Sequence, residues 1–163
     1  MTTRTTTTVT SVTYVVDGFL TIFEVLSDIL GMSRTYLDSN KKLLKLGFSK
    51  WLESKHLNAV YVEFIAPHGL QHRCDFRIKY SAGDTVGFFN EDLEGVRYLA
   101  TKLASMPAGS QYRVVVDLAP GAQDVDGWSS TNLRSVTNLS KGRLGTALNT
   151  PGIKAQMEYW TRR

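Results

Sequence analysis

The sequence predicts an α+β domain in which three helices pack on a mainly antiparallel sheet. Three segments repeat apolar residues at steps of three and four, as amphipathic helices do. Two further segments alternate apolar and polar residues, and a third is rich in valine, as strands are. The chain has 163 residues, of which 42% are hydrophobic and 21% charged. It is therefore long enough to form one domain with its own core.

The first helix is predicted over residues 12–30, and Gly31 stands where a C-terminal cap belongs. Its apolar stripe consists of Val12, Val15, Val16, Phe19, Leu20, Phe23, Leu26 and Leu30. Residues 1–8 contain six threonines and, after Met1, no large apolar side chain. Burial gains too little there to offset the entropy of ordering. We expect a flexible tail over residues 1–10, ahead of a core over residues 11–118.

A second helix and a hairpin follow. The polar cluster Asp38, Ser39 and Asn40 offers capping oxygens ahead of the helix, whose buried face is predicted to contain Leu44, Phe48, Trp51 and Leu52. The alternating segments 57–65 and 70–80 flank the turn signal Pro67-His68-Gly69. The second strand is predicted to place every second side chain on the core face, namely Leu70, His72, Cys74, Phe76, Ile78 and Tyr80. We expect the opposite face to be in water, with Gln71, Arg73, Asp75, Arg77 and Lys79.

The third helix is predicted after a loop over residues 81–87, with Asn90 as its cap. Its stripe is Leu93, Val96, Leu99, Ala100 and Leu103. The valine-rich strand over residues 112–118 is expected either at the centre of the sheet or paired by a partner.

Residues 119–163 differ from the rest, with glycines at 121, 127, 142, 145 and 152 and prolines at 120 and 151. The segment has no long periodicity, although residues 153–160 could form a last strand or a short helix. Long irregular segments in compact domains are often functional. This segment is therefore the main candidate for function.

Composition excludes several classes of protein. Cys74 is the single cysteine, which rules out intramolecular disulfides and fits a cytoplasmic location. No stretch is typical of an export signal or a membrane span. The net charge of +4 does not by itself indicate nucleic-acid binding, and Lys41, Lys42 and Lys45 are typical of a solvated helix surface. We expect neither direct nucleic-acid binding nor membrane association.

No catalytic or metal-binding pattern is evident. No nucleophile signature accompanies His56, His68 or His72. His72 and Cys74 share a strand face, but without a second ligand cluster the inward cysteine is more typical of a core residue. The glycines and charges at residues 141–145 match no phosphate-binding motif, and Asp124 and Asp126 are typical of turns. We predict no catalytic residue, no metal and no cofactor, so the protein is not expected to be an enzyme.

The order of elements supports peptide binding, because an exposed sheet edge accepts a peptide as an added strand. The same order resembles the bacterial HORMA domains of antiphage operons. The stretches that carry this resemblance are Ser11-Val12-Thr13-Tyr14, Leu43-Leu44-Lys45-Leu46-Gly47-Phe48, Tyr80-Ser81-Ala82-Gly83-Asp84 and Asn149-Thr150-Pro151-Gly152. It implies a HORMA-like fold whose C-terminal segment, here residues 119–163, acts as a safety belt around a closure-motif peptide.

The resemblance also implies partners and site residues. A peptide-bound HORMA protein activates a cyclic-oligonucleotide synthase of the nucleotidyltransferase class in antiphage signalling, and a AAA+ ATPase reopens it. A second HORMA protein can supply the closure motif. The implied peptide-binding residues are Tyr112, Val114, Val116, Leu118, Trp128, Ile153, Tyr159 and Trp160. The threonines Thr5, Thr6, Thr7 and Thr8 would serve as the handle for the ATPase.

One alternative function belongs to a different class. The polar N-terminus and the loop-rich C-terminus could be arms exchanged between subunits of a self-assembling phage or bacterial scaffold. The oligomer formed by the purified chain would separate the two hypotheses, because only the scaffold predicts large assemblies.

Overall fold

A computed structural model describes residues 2–81 and 89–162, which form three helices on one face of an antiparallel sheet. This confirms the predicted α+β class. The loop expected over residues 81–87 falls, from residue 82 onward, outside the described residues. The elements are α1 (Thr2–Ile29), α2 (Thr35–Glu53), β1 (Leu57–Ala66), β2 (Gly69–Tyr80), β3 (Asn90–Glu91), α3 (Leu93–Lys102), β4 (Gln111–Leu118), β5 (Leu139–Thr150) and β6 (Ile153–Arg162).

Helix α1 begins earlier than the sequence indicates. Its backbone is helical from Thr2, so residues 2–10 continue the helix where we expected a flexible tail. Extending an existing helix adds one hydrogen bond for each residue fixed, whereas starting a helix fixes several residues for one bond. The predicted C-terminal cap is confirmed: Gly31 has a φ of +75°, and the Met32 N–H donates to the Ser27 carbonyl at 2.7 Å, as in a Schellman motif.

Helix α2 begins at Thr35, three residues before the predicted caps. The Ser33 hydroxyl accepts a hydrogen bond from the Thr35 N–H at 3.2 Å, while Asp38 lies in the first turn. Its charge is favourable there because the N-terminal end of a helix is positive. The polar cluster is thus part of the helix and not its cap. The predicted buried face is confirmed, since Leu44, Phe48, Trp51 and Leu52 are all at most 2% exposed.

The predicted hairpin is present as antiparallel β1 and β2, but its second face is not uniformly in water. Arg73 and Asp75 are only 7% and 1% exposed. Arg73 donates to Asp75 through Nε at 2.7 Å, and its guanidinium lies over the rings of Tyr61 and Trp160. Because Trp160 comes from β6, the burial of this face depends on a strand 85 residues away from Asp75.

Helix α3 is capped by Asp92 and not by Asn90, which lies in β3. The Gly95 N–H donates to the Asp92 carboxylate at 2.9 Å. Glycine permits this close approach, because a Cβ at position 95 would fall 2.3 Å from a carboxylate oxygen. The predicted stripe is confirmed at Val96, Leu99 and Ala100, which are buried against the core.

The sheet has the order β3-β5-β6-β2-β1-β4, and every pairing is antiparallel. The valine-rich strand β4 therefore lies at an edge and not at the centre. Residues 139–162 form the long hairpin β5–β6, to which the sequence assigned no clear pair of strands. Register shifts at Arg143/Gly145 and Thr146/Leu148 interrupt the alternation of β5, because each bulge inserts an extra residue.

The core lies between the helices and the inner face of the sheet. Phe19 and Phe23 of α1 meet Phe48 of α2 and Phe76 of β2, with ring centroids 5.5–6.3 Å apart. Leu148 and Met157 of the C-terminal hairpin are fully buried in the same core. Within the described part of the chain, no helix is both long and apolar enough to span a membrane.

Candidate functional site: the open edge of β4

The edge of β4 that faces away from β1 pairs with no other strand among the described residues. Two hydrogen bonds show which backbone groups of β4 point toward β1 and which point outward. The Ala119 N–H donates to the His56 carbonyl just before β1, whereas the Val114 N–H donates outward to the Tyr36 hydroxyl at 3.3 Å. Backbone groups of alternate residues in an antiparallel strand point to the same side. Tyr112, Val116 and Leu118 therefore share the outward direction of Val114.

The connecting segment, residues 119–138, first runs along α2. The Trp51 indole donates to the Gln123 carbonyl at 2.7 Å, and the Trp128 indole donates to the Leu43 carbonyl at 3.2 Å. The two indole rings meet edge to face at 5.1 Å. Gly47 allows this approach, since a Cβ there would lie 2.6 Å from the Trp128 nitrogen. Two tryptophans thus fix the start of the connecting segment to the helix layer.

The connecting segment then crosses to the other face of the sheet. Leu133 packs there against Ala59, Tyr61 and Val115, whereas Trp128 packs against the helix-side core. Between these two positions the chain must pass around the edge of β4. The space beside the edge is thereby enclosed.

A cluster of polar contacts, which we call the latch, holds the crossing. It consists of Glu63, Arg113 and residues 131–134. The Glu63 carboxylate is fully buried, accepts from Arg113 Nε at 2.8 Å and accepts from the Arg134 backbone N–H at 2.8 Å. Arg113 also donates to the Thr131 hydroxyl at 2.9 Å and to the Asn132 carbonyl at 2.8 Å. The buried charge of Glu63 is therefore compensated by a residue of β4 and by the connecting segment together.

Three cavities follow one another along β4 and form what we call the channel. They have volumes of about 450, 300 and 290 Å³. The first and second share Tyr36 and Arg113, and the second and third share Val114 and residues 128–131. The channel thus extends over the whole strand, and residues 128–131 cover its middle.

The structure brings five of the predicted site residues together. Tyr112, Val114, Val116 and Leu118 carry the outward backbone groups of β4, and Trp128 lines the two cavities beside Val114. Ile153, Tyr159 and Trp160 lie on β6, which is separated from β4 by β1 and β2. The predicted handle, Thr5 to Thr8, lies in the first turns of α1.

Sequence reasoning missed Tyr36, Glu63 and Arg113. Glu63 and Arg113 are direct partners across β1 and β4, so the one available signal was the opposite charge on two strands. The pairing of those strands could not be known from the sequence. Tyr36 comes from α2, and no local pattern connects it with β4.

The other residues considered as catalytic, metal-binding or phosphate-binding candidates include His72, Cys74, Gly142 and Asp124. His72 is fully buried, with its ring nitrogens 2.8 Å from the Thr161 hydroxyl and the Ala104 carbonyl. Burial lowers the pKa of His72, and burial raises the pKa of the Cys74 thiol. Gly142 lies in β5 against Tyr159, whose ring would be 2.1 Å from a Cβ. Asp124 lines the channel. Among the described residues, no cluster could hold a metal ion.

In a comparison with known protein families, the model of bacterial HORMA domain 2 matches residues 1–163. No curated protein matches the chain in sequence.

Comparison with solved structures shows the same fold at low sequence identity. A chain of the mitotic checkpoint complex superposes with a TM-score of 0.77 at 12% identity, covering 94% of this chain and 99% of its own. The Caenorhabditis elegans protein HTP-2, bound to the HIM-3 closure motif, gives 0.67 at 12% identity, with 86% and 85% covered. The Escherichia coli MS115-1 CdnC:HORMA-deltaN complex gives 0.64 at 10% identity, with 96% and 90% covered.

Proposed function

Because the chain belongs to the bacterial HORMA domain 2 family, we propose that it is a peptide-binding switch. A short closure motif of another protein adds as a strand to the outward edge of β4, and the connecting segment encloses it. The observation that carries this proposal is the channel, which joins a strand edge that no other described strand pairs with to a segment that passes around it. The HTP-2 structure with a bound closure motif supports it. Backbone hydrogen bonds would supply affinity, and the side chains of the channel would supply specificity.

The test uses peptides selected from a displayed library of random decapeptides against the full chain. A bound peptide should slow hydrogen exchange at residues 112–118 and 128–134. Val116→Pro should weaken binding at least tenfold, because proline removes an outward N–H without removing a bond to β1. An unchanged melting temperature would show that the variant folds. Selected peptides that protect another surface, or that bind Val116→Pro unchanged, would contradict the proposal.

The signalling role is a further part of this proposal. The peptide-bound chain would activate a cyclic-oligonucleotide synthase in the cytoplasm during antiphage defence, without catalysis of its own. The E. coli complex of a HORMA chain with CdnC supports this partner. A cyclic-oligonucleotide synthase of the CdnC kind should make its nucleotide product when the chain and the selected peptide are both present. Equal production with Val116→Pro would separate activation from peptide binding and overturn this part.

Resetting by a AAA+ ATPase completes the proposed cycle. The ATPase would grip the start of α1, which includes Thr5, Thr6, Thr7 and Thr8. Deletion of residues 2–8 should leave peptide affinity within about twofold and slow ATPase-driven release of the peptide. Release at the wild-type rate would exclude this handle.

No observation favours the scaffold alternative. The C-terminal segment that could have been an exchanged arm pairs with β2 of its own chain through β6.

A further inference from the structure

We propose that the channel reads the charge of its peptide at both ends, accepting an acidic side chain beside Gln111 and a basic side chain beside Leu118. This inference rests on the proposed function, because it specifies which closure motifs the channel accepts. Two ionisable side chains at opposite ends of the channel carry it, namely Arg134 and Asp124.

Arg134 supplies the positive end. It lines the cavity beside Gln111 and Tyr112, is exposed, and makes no ion pair with any described residue. Its backbone N–H is bound to the Glu63 carboxylate, so the latch fixes the position from which the side chain extends. The other cation at this end, Arg113, already has its charge compensated by Glu63. Arg134 therefore has a guanidinium available for a ligand.

Asp124 supplies the negative end. It is the single charged residue among those that line the cavity beside Val116 and Leu118, and it too makes no ion pair with any described residue. The neighbouring Gln123 carbonyl is bound by the Trp51 indole, which places this part of the connecting segment. A basic side chain of the peptide would meet an uncompensated carboxylate here.

The middle of the channel carries no uncompensated charge. Around Val114 the lining consists of residues 127–131 of the connecting segment, of Tyr36, Asn40, Leu43 and Leu44 of α2, and of Arg113. The charge of Arg113 is already compensated by Glu63. A charged side chain in this stretch would lose water without gaining a partner. β4 has eight residues and spans about 24 Å at 3.4 Å per residue. The two peptide charges should therefore stand roughly five to seven residues apart, on either side of an uncharged centre.

The two charged ends of the channel contribute mainly to selectivity among peptides and little to overall affinity. Both side chains are exposed, and ion pairs at exposed positions are weak and screened by salt. We therefore expect each matched charge to change the dissociation constant by about twofold to fivefold at low ionic strength, and less in high salt.

The experiment exchanges charges on both partners. Decapeptides selected on the wild-type chain should carry one acidic and one basic residue, with an uncharged centre. Arg134→Glu should weaken their binding threefold to tenfold, and a lysine in place of the peptide's acidic residue should restore it. Asp124→Lys should behave correspondingly at the other end. Arg143→Glu on β5 and Asp126→Lys, both exposed and outside the channel lining, are the matched controls and should change affinity less than twofold.

The outcomes separate this inference from the function on which it rests. Peptides that protect β4 from exchange but are indifferent to Arg134→Glu and Asp124→Lys would overturn the charge reading and leave peptide binding intact. Weakening without restoration by the exchanged peptide would also overturn it. A chain that selects no β4-binding peptide would overturn the proposed function and the charge reading together.

Discussion

Tyr36 is the side chain that meets the open edge of β4. Its hydroxyl accepts the hydrogen bond of the Val114 N–H, and its ring packs on Tyr112 with centroids 4.7 Å apart. A peptide strand would need the same N–H for its own carbonyl. Tyr36 therefore competes with the proposed ligand for one backbone donor.

Replacement of Tyr36 by phenylalanine tests this competition. Phenylalanine keeps the ring but removes the acceptor, so binding no longer breaks a hydrogen bond whose net contribution is about 0.5–1.5 kcal/mol. We expect peptide affinity to rise by about twofold to tenfold, measured by calorimetry with a selected decapeptide. Reduced affinity would mean that the hydroxyl contacts the bound peptide instead.

His72 links β2 to Ala104, two residues after the end of α3, and to β6. Because the Ala104 carbonyl only accepts, Nε2 must carry the proton, and Nδ1 then accepts from the Thr161 hydroxyl. Burial favours the neutral ring and lowers its pKa, against the smaller opposing effect of the Ala104 hydrogen bond. The folded chain thus resists protonation of this group more than the unfolded chain does.

Stability should consequently fall as pH is lowered below about 6.5, where the unfolded histidine begins to bind a proton. The contribution is complete above that pH and is lost progressively down to the lowered pKa of the folded state. His72→Gln keeps an amide donor and cannot titrate, so its urea midpoint should vary less between pH 7 and pH 5.5. His68→Gln in the exposed turn is the control, and equal slopes in all three proteins would contradict the assignment.

At the scale of elements, the latch joins β1, β4 and the connecting segment. Glu63 is fully buried, whereas the Arg113 side chain is 32% exposed. A buried carboxylate requires compensation, and part of that compensation comes from a backbone N–H of the connecting segment. Closure of the connecting segment and satisfaction of this carboxylate are therefore coupled.

Glu63→Gln should loosen this closure. The amide is a weaker acceptor than a carboxylate and leaves the Arg113 charge without its partner, at a cost of about 1–3 kcal/mol. Hydrogen exchange at residues 129–138 should become faster, and peptide release should become faster with it. Glu53→Gln at the exposed end of α2 is the matched control. Unchanged exchange in Glu63→Gln would show that Trp128 and Leu133 hold the segment without the latch.

At the scale of the whole molecule, the C-terminal hairpin completes the core. Leu148 is fully buried and lies against Gly18 of α1, where a Cβ would fall 2.5 Å from a Leu148 methyl group. β6 also covers the edge of β2 that would otherwise be open. The hairpin therefore contributes packing to α1 and backbone pairing to the sheet.

Leu148→Ala measures that contribution. Loss of a fully buried leucine leaves a cavity beside α1, and we expect the free energy of unfolding to fall by about 2–5 kcal/mol in urea titrations. Leu46→Ala, at a leucine that is 56% exposed on α2, should change it by less than about 0.5 kcal/mol. A small effect at Leu148 would mean that the hairpin separates from the core before global unfolding.

The sequence by itself determined the elements whose periodicity is local. The stripe of α1 and its Gly31 cap, the buried face of α2 and the β1–β2 hairpin are fixed by residues three, four or two positions apart, and such spacings are readable without the fold. Tyr112, Val114, Val116 and Leu118, together with Trp128, were expected at the peptide site because of the resemblance to HORMA domains and not because of a local pattern.

Only the tertiary structure decided the rest. The position of β4 at the edge, the burial of Arg73 and Asp75, the latch of Glu63 with Arg113, and the meeting of Tyr36 with Val114 all depend on which strands and helices become neighbours. Those contacts join residues 50 to 85 positions apart in the chain, beyond the reach of any local pattern. The hairpin β5–β6 was not predicted for a related reason. Its glycines and bulges allow packing against Tyr159 and the core, and they disrupt the alternation of apolar and polar residues by which a strand is recognised.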